Sequence, residues 1–415
     1  MNVAFYTLGC KVNHYETQAM EELFVKAGYS VVSFTEQADV YIVNTCSVTQ
    51  MSDKKSRQML HRAKALNPNA KIVAVGCYAE TSFDAVSKMD DIDLVLGTEG
   101  RKDIVKFVES ELNYHHTDPF SRREFELLSA TKDARTRATL KIQDGCNRFC
   151  SYCIIPYARG TLRSRPLSNC KQELTELGRL GYSEVILTGI QLAAYGVDLE
   201  GNPDLLDVLE LADSTAGILR VRLGSLEPTL IDDRFLSVAS RSATLCPQFH
   251  LSLQSGSDSV LKRMNRRYDT ELYRNAVRRL RETFPNCAIT TDIIAGFVGE
   301  TEEEHEQTMR FVEEIGFARI HVFPYSKRQG TKAAAMGGHL PKSVKDARAQ
   351  QLIQLGTKLE EAFVEAQLGK TVRVLLEDDH TGFTDNYVRV RCEGECGSYQ
   401  TVELYAREGT LALGR

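Results

Sequence analysis

The chain has 415 residues, with 51 Lys and Arg against 56 Asp and Glu, 11 cysteines and no tryptophan. At roughly 150 residues per domain this length fits two to three domains with cores of their own, which excludes a small fold stapled by disulfides. A content of 42% hydrophobic and 26% charged residues excludes wholesale disorder and a membrane bundle, and the net charge of −5 means that a polyanion must be met by local basic patches.

Residues 1–112 alternate short apolar runs (3–7, 29–34, 40–44, 71–75, 93–96) with amphipathic stretches such as 14–27 and 52–66. Strands too apolar to have a wet face predict a parallel sheet covered on both sides, a doubly wound α/β domain. A polar stretch over 113–137, with His115, His116 and Pro119, reads as an extended linker. Strand-like runs then recur at 138–142, 184–188, 219–224, 248–253, 288–295 and 319–323, separated by helical patterns that include 169–180, 271–281 and 302–315. Six β/α units are fewer than the eight of a closed TIM barrel, so 138–341 is expected to form an open, partial (β/α)6 barrel that works at the carboxyl ends of its strands. A long charged helix follows, patterned over about 342–368, and makes 342–366 a connecting element. The remaining residues, 367–415, show short alternating strands at 371–377, 387–392 and 399–405 and fit a small antiparallel β-barrel. No secretory leader precedes the first strand and no run approaches the ~18 apolar residues of a membrane span, so a cytoplasmic protein without membrane contact is expected.

In a reducing compartment 11 cysteines point to metal, cluster or catalytic roles. Cys146, Cys150 and Cys153 form C-x3-C-x2-C just after the first strand of the second series, with Tyr152 before the last. Three thiolates so spaced can bind three irons of a cubane and leave the fourth open to an outside ligand. The competing reading is a zinc knuckle, for which no fourth ligand stands at zinc-finger spacing nearby. Cys10, Cys46 and Cys77 are 36 and 31 residues apart, but each ends an apolar strand, and all carboxyl ends of a parallel sheet lie on one edge. Three thiols then converge, with Gly9 and Gly76 admitting close backbone approach; the alternative is three buried cysteines placed there by chance.

Together these residues resemble the radical methylthiotransferases, and the resemblance covers essentially the whole chain. It implies an N-terminal cluster domain, a central radical S-adenosylmethionine domain and a C-terminal TRAM domain that binds RNA. It further implies two 4Fe-4S clusters, with S-adenosylmethionine on the unique iron of the Cys146, Cys150, Cys153 cluster, and an auxiliary cluster on Cys10, Cys46 and Cys77 for sulfur delivery. Siblings act on isopentenyladenosine in tRNA, on an aspartate of a ribosomal protein, or on threonylcarbamoyladenosine in tRNA. The opening TLGCKVNHYE and the central KIQDGCNRFCSYCIIPYARG are similar to the third. The first sibling usually opens Gly-Cys-Gln-Met-Asn and the second Gly-Cys-x-Lys-Asn, and Lys11-Val12-Asn13 matches neither.

Further strand-end positions are expected to meet the cofactor: Tyr152, Thr188, Gly189, Glu227, Gln254, Asp292 and Gly296, where glycine admits a ribose or adenine. Each has an ordinary turn or loop reading beside this one, and Val298 stands where the last motif usually has proline. Arg159, Arg163 and Arg165, and a second concentration at Lys262, Arg263, Arg266 and Arg267, could meet RNA phosphates; a solvated charged face is the competing reading. The terminal barrel itself has six Lys and Arg against eight Asp and Glu, so its RNA role rests on the resemblance. Cys392 and Cys396 offer two ligands only and read as free thiols, and no role is assigned to Cys170, Cys246 or Cys287.

The expected reaction puts a methylthio group on adenine C2 of threonylcarbamoyladenosine, 3′ of the anticodon. That carbon bears an unactivated hydrogen that no general base removes near neutral pH, whereas a carbon radical can abstract it. Both clusters should face one cavity, and the pocket should hold a fixed cation, best an arginine, for the threonylcarbamoyl carboxylate. The expected partners are a tRNA anticodon stem-loop and an electron donor of flavodoxin or ferredoxin type, with the enzyme a monomer. A zinc-stabilised RNA-binding protein without catalytic activity is the reading of a different class, and it gives no reason for six β/α units behind the triplet.

Overall fold

The computed structural model describes residues 1–130, 136–378 and 380–415; the linker reading over 131–135 lies outside these residues. In the first part, β1 (Asn2–Thr7), β2 (Ser30–Val32), β3 (Val40–Thr45), β4 (Lys71–Gly76), β5 (Leu94–Leu96) and β6 (Tyr114–His115) form one parallel sheet in the order β2-β1-β3-β4-β5-β6. Alternate residues feed opposite cores. Tyr41, Val43, Ile72 and Ala74 pack with Met59 and Leu60 of the helix Gln50–Leu66, while Val40, Ile42, Val73 and Val75 pack with Met20 and Phe24 of the helix Lys11–Lys26. This burial on both faces is what the apolar runs predicted. The linker reading fails at its start, because Tyr114–His115 adds a sixth strand beside β5. Leu128 and Ala130 are buried as well, packed with Tyr15 and Ala19.

The central part opens with β7 (Arg137–Lys141). A short antiparallel pair, β8 (Gln143–Asp144) and β9 (Arg163–Ser164), then brackets the loop that carries Cys146, Cys150 and Cys153. Next come β10 (Glu184–Thr188), β11 (Arg220–Leu223), β12 (Gln248–His250), β13 (Ala288–Ala295) and β14 (Arg319–Pro324). They pair in parallel as β11-β10-β7 and β12-β13-β14. Single bridges, Val221 to Leu245 and Leu226 to Leu251, join the two sets into one arc in chain order from β7 to β14. Helices cover its outer face around a continuous core that includes Leu140, Leu187, Val221, Phe249 and Ile293. Capping boxes at Asp204 with Asp207 and at Thr301 with Glu304 fix where two of these helices start. The helix Lys342–Glu365 closes over β14, where Gly356 lets the two approach so closely that a Cβ there would lie 2.4 Å from Ile320.

The last part is a closed barrel of β15 (Thr371–Asp378), β16 (Thr381–Thr384), β17 (Arg389–Arg391), β18 (Tyr399–Glu408) and β19 (Leu411–Gly414), in the order β15-β16-β17-β19-β18. It departs from the antiparallel expectation in one pairing, β17 with β19, which is parallel. The barrel docks on the amino ends of the central strands, opposite the cluster loop. Arg220 and Arg222 donate to the main-chain carbonyls of Phe383, Thr384 and Asp385 at 2.7–3.2 Å, and Asn386 donates to the Asn286 carbonyl at 3.0 Å.

Candidate active site

Cys10, Cys46 and Cys77 follow the carboxyl ends of β1, β3 and β4, as the sheet requires, and lie within electrostatic reach of one another. Gly9, at φ +108°, makes this convergence possible: a Cβ there would sit 3.0 Å from the Cβ and 3.1 Å from the Sγ of Cys46. Cys46 and Cys77 are buried and Cys10 is exposed, and none of the three forms a disulfide. Burial pushes the Cys77 thiol up to about 12 and raises Cys46 as well. A buried thiolate here needs a cation, and iron supplies that charge when it binds.

The second set is equally compact. Cys146 and Cys153 each feel Cys150, and burial raises them to about 11 and about 12. Groups around the sulfurs are already in place: Arg266 Nη1 donates to Cys150 Sγ at 3.2 Å, the Arg148 amide to Cys146 Sγ at 3.4 Å, and Cys146 Sγ lies 3.1 Å from Gln191 Oε1. Among the described residues no three His, Cys, Asp or Glu side chains converge as the ligands of one metal ion do. The ligands of a cubane sit on three different irons, so a cluster does not ask the three sulfurs to meet at one metal.

The two sets meet across a buried ionic seam. Glu16, on the first-domain helix that starts after Cys10, pairs with Arg101 at 2.7 Å, Lys141 at 2.7 Å and Arg159 at 2.8 Å. Asp144 binds Lys141 at 2.6 Å and Arg159 at 3.0 Å, and Arg159 Nη2 donates to Asn13 at 2.8 Å. Burial alone would raise Glu16, but Arg101, Arg159 and Lys141 outweigh it and hold the carboxyl at about 2. Arg159 ends the short helix Ile155–Arg159, which begins two residues after Cys153, and its guanidinium lies in the field of Cys77. One helix thus ties the two thiol triads together. Nearby, Thr98 donates to the Ala158 carbonyl at 2.6 Å, and Arg328 reaches Ser47 and Asp53, beyond Cys46, at 2.8 and 2.6 Å.

This seam corrects the phosphate reading of three arginines. Arg159, Arg163 and Arg165 are at most 4% exposed. Arg163 donates to the Arg159 carbonyl and Arg165 to the Tyr15 hydroxyl, at 2.9 and 2.6 Å; Arg159 and Arg165 hold the two domains together, Arg163 braces Arg159 from within the central one, and all three are buried. Arg266 is corrected too, since it stacks on Tyr268 at 4.8 Å and serves Cys150. Arg263 pairs with Glu304 at 2.7 Å, while Lys262 and Arg267 are exposed.

The positions expected at the cofactor divide as well. Tyr152 is packed edge-on to Phe297, and burial raises its hydroxyl well above the usual range. Thr188 and Gly189 adjoin Cys146 through Gln191: a Cβ at Gly189 would lie 2.9 Å from Gln143, whose amide oxygen accepts from the Gln191 N–H at 2.6 Å. Glu227 pairs with Arg148 beside the same cysteine. Gln254, at φ +73°, keeps its main chain bonded to Asp292 and Ile294, and Asp292 faces His250 at 3.4 Å on the inner side of the arc. At Gly296 the space a side chain would fill is taken by Lys345, 2.5 Å from the ideal Cβ, so that glycine serves helix packing. Sequence reasoning missed Glu16, Asp144, Lys141 and Arg101; the one available signal was charge inside otherwise apolar strand and helix patterns.

Known proteins align with this arrangement. Residues 2–97 match the profile of the uncharacterized protein family UPF0004, and residues 140–312 that of the Radical SAM superfamily. A threonylcarbamoyladenosine tRNA methylthiotransferase, MtaB, of Bacillus subtilis (strain 168) is 40% identical over 407 residues, covering 94% of this chain and 90% of the relative. A tRNA-2-methylthio-N(6)-dimethylallyladenosine synthase of Oceanobacillus iheyensis is 36% identical over 387 residues, covering 90% and 74%. Among solved structures, the radical S-adenosylmethionine methyltransferase TsrM of Kitasatospora setae superposes with a TM-score of 0.60 at 14% identity, over 80% of this chain and 77% of that one, a likeness of fold. A chain that aligns from end to end with such relatives, and folds as its thiols require, belongs to the tRNA methylthiotransferases of the radical S-adenosylmethionine superfamily.

Proposed function

We propose that the protein is a threonylcarbamoyladenosine tRNA methylthiotransferase, which places a methylthio group on C2 of the modified adenine 3′ of the anticodon. The observation that carries this reading is the seam: Arg159 joins the loop of Cys146, Cys150 and Cys153 to the sheet edge of Cys10, Cys46 and Cys77, so that two iron–sulfur clusters would face one space. When bound, the clusters and S-adenosylmethionine supply a carbon radical for the C2 hydrogen and a methylated sulfur to replace it. The protein contributes position. Arg266 and Gln191 orient Cys150 and Cys146, the charged seam fixes the distance between the two thiol sets, and Tyr152 packs with Phe297 beside Cys153.

A base 3′ of the anticodon can be splayed from a single-stranded loop into such a site without opening a duplex. An anticodon stem-loop is therefore the RNA element the enzyme grips, and the C-terminal barrel is its second handhold. A small donor of flavodoxin or ferredoxin type reduces the cluster of Cys146, Cys150 and Cys153; the enzyme works as a monomer, since both thiol sets come from one chain, and in the cytoplasm, where its tRNA substrate is. No described helix is long and apolar enough to cross a membrane.

Reconstituted enzyme should modify tRNA that bears the threonylcarbamoyl group about a hundredfold or more faster than the same tRNA lacking it or tRNA bearing isopentenyladenosine, measured by nucleoside mass spectrometry. Preference for the isopentenyl substrate in direct competition would overturn the substrate while leaving the radical chemistry standing. A Cys10→Ala, Cys46→Ala, Cys77→Ala variant should still cleave S-adenosylmethionine and yield no methylthio product. Product formed by that variant would contradict the auxiliary role.

A further inference from the structure

Lys11 directly follows Cys10 and opens the helix Lys11–Lys26. Its side chain is exposed and takes no part in a hydrogen bond or ion pair among the described residues. Its ammonium lies within electrostatic reach of Glu184 on β10, Arg222 on β11, Arg137 on β7 and Tyr387 of the C-terminal barrel, and of His321 on β14. A point close to the first and the last strands of an open arc, and to strands between them, lies inside the arc. The N-terminal domain therefore delivers Lys11 onto the concave face of the central one, one residue from a thiol of the auxiliary set.

That face is open. His321 and Phe323 of β14 are exposed, and Asp292, directly across from His321, keeps 33% of its side chain accessible. The other cations near Lys11 are already matched: Arg222 pairs with Glu184 at 2.8 Å, and Arg137 with Glu377 and, at 3.7 Å, with Glu184. Burial pushes both the His321 imidazole and the Lys11 ammonium down from their ordinary values, but only the imidazole starts near neutral pH, so it is the one driven to the neutral form. Among the described residues around this face, Lys11 is the cation that forms no ion pair, and an exposed ammonium lining an open concave face is free to exchange its water for an anionic ligand.

When an anticodon loop offers one base to the interior, its phosphates stay outside; a threonylcarbamoyl group carries one carboxylate in with the base. We propose that Lys11 binds this carboxylate and so selects threonylcarbamoyladenosine over bases with apolar modifications. The inference rests on the substrate reading above and places a lysine where an arginine was expected. An ammonium gives a point charge that three donors can share among carboxylate oxygens, without the fixed fork of a guanidinium. Lys11 also stands where the isopentenyl sibling usually has glutamine, so Lys11→Gln swaps one spelling for the other.

The test uses the full chain with both clusters loaded, checked by iron content, and three anticodon stem-loop RNAs: one with threonylcarbamoyladenosine, one with its carboxylate methyl ester, and one with isopentenyladenosine. Binding is read by fluorescence anisotropy and turnover by kcat/KM. The native enzyme should prefer the acid to the ester by about ten- to a hundredfold, as a charge-assisted hydrogen bond implies. K11Q should bring the acid down to the level of the ester, and K11R should restore most of the preference. The assignment is overturned if K11Q keeps the preference, or if it weakens acid and ester by the same factor. It is overturned as well if K11Q raises the S-adenosylmethionine concentration required equally with every RNA, which would place Lys11 on the carboxylate of the cofactor. A native enzyme that favours the isopentenyl RNA would instead sink the substrate reading itself, and the arms separate these outcomes.

Discussion

Replacing Cys146, Cys150 and Cys153 together by alanine should abolish methylthio transfer and remove about half of the iron, leaving the N-terminal cluster in place. The separation follows from the fold. The triplet lies on a loop between β8 and β9 of the central domain, whereas Cys10, Cys46 and Cys77 hang from three strands of another sheet with two cores of its own. No formation of 5′-deoxyadenosine should remain, because in the function proposed above S-adenosylmethionine binds the cluster of the central domain. Iron analysis and chromatography of the cofactor products check both halves. Cofactor cleavage by the triple variant would refute the assignment, and loss of all iron would show that the two sets are not independent.

The second large effect is expected at the seam. Glu16→Gln keeps the shape of the side chain and leaves Arg101, Lys141 and Arg159 one anion short in a region with no exposed surface. Breaking a buried ion pair in this way costs about 3–5 kcal/mol, which a urea midpoint would report. The seam should also make stability fall in acid. Glu16 is held at about 2 in the folded chain against an ordinary 4.5, so its contribution is fully present above about 4.5 and is lost as the pH falls toward 2. Asp144 is lowered in the same direction and adds to the trend. In E16Q this acid-dependent loss should be smaller, and an unchanged acid profile would show that Glu16 does not carry it.

Where the sequence was readable, a repeating pattern or a chemically obvious terminus made it so. β10 and β13 and the helix Glu302–Ile315 have the bounds expected of them, the strands because both are apolar and β-branched, the helix because Thr301 and Glu304 mark its start. Tyr114–His115 was illegible: two residues at a sheet edge carry no alternation, and their polar neighbours look like a linker. β16 and β19 escaped for a similar reason, each being four residues long and carrying a glycine. In the candidate site, cysteines at strand ends announced themselves. The arginines did not, because what fixes the role of Arg159 is a glutamate 143 positions earlier in the chain, and a basic run on paper looks the same whether it faces RNA or a buried carboxylate. Lys11 was visible as a spelling that differed from both siblings, but its address inside the arc came only from the fold.

At the joint between the central domain and the C-terminal barrel, Arg220 and Arg222 hold main-chain oxygens of the barrel. These bonds do not depend on which side chains stand at 383–385, whereas a few other contacts do: Asp385 also pairs with Arg220 at 3.2 Å, Glu377 pairs with Arg137, Asn386 reaches the Asn286 carbonyl, and the Phe383 and Tyr387 rings lie against Arg137. Away from these few positions the barrel can therefore drift in sequence and acquire or lose charge while its distance and angle to the central domain stay constant. Attachment and surface charge are thus separable traits here, and the acidic balance of this barrel is the kind of variation that separation permits.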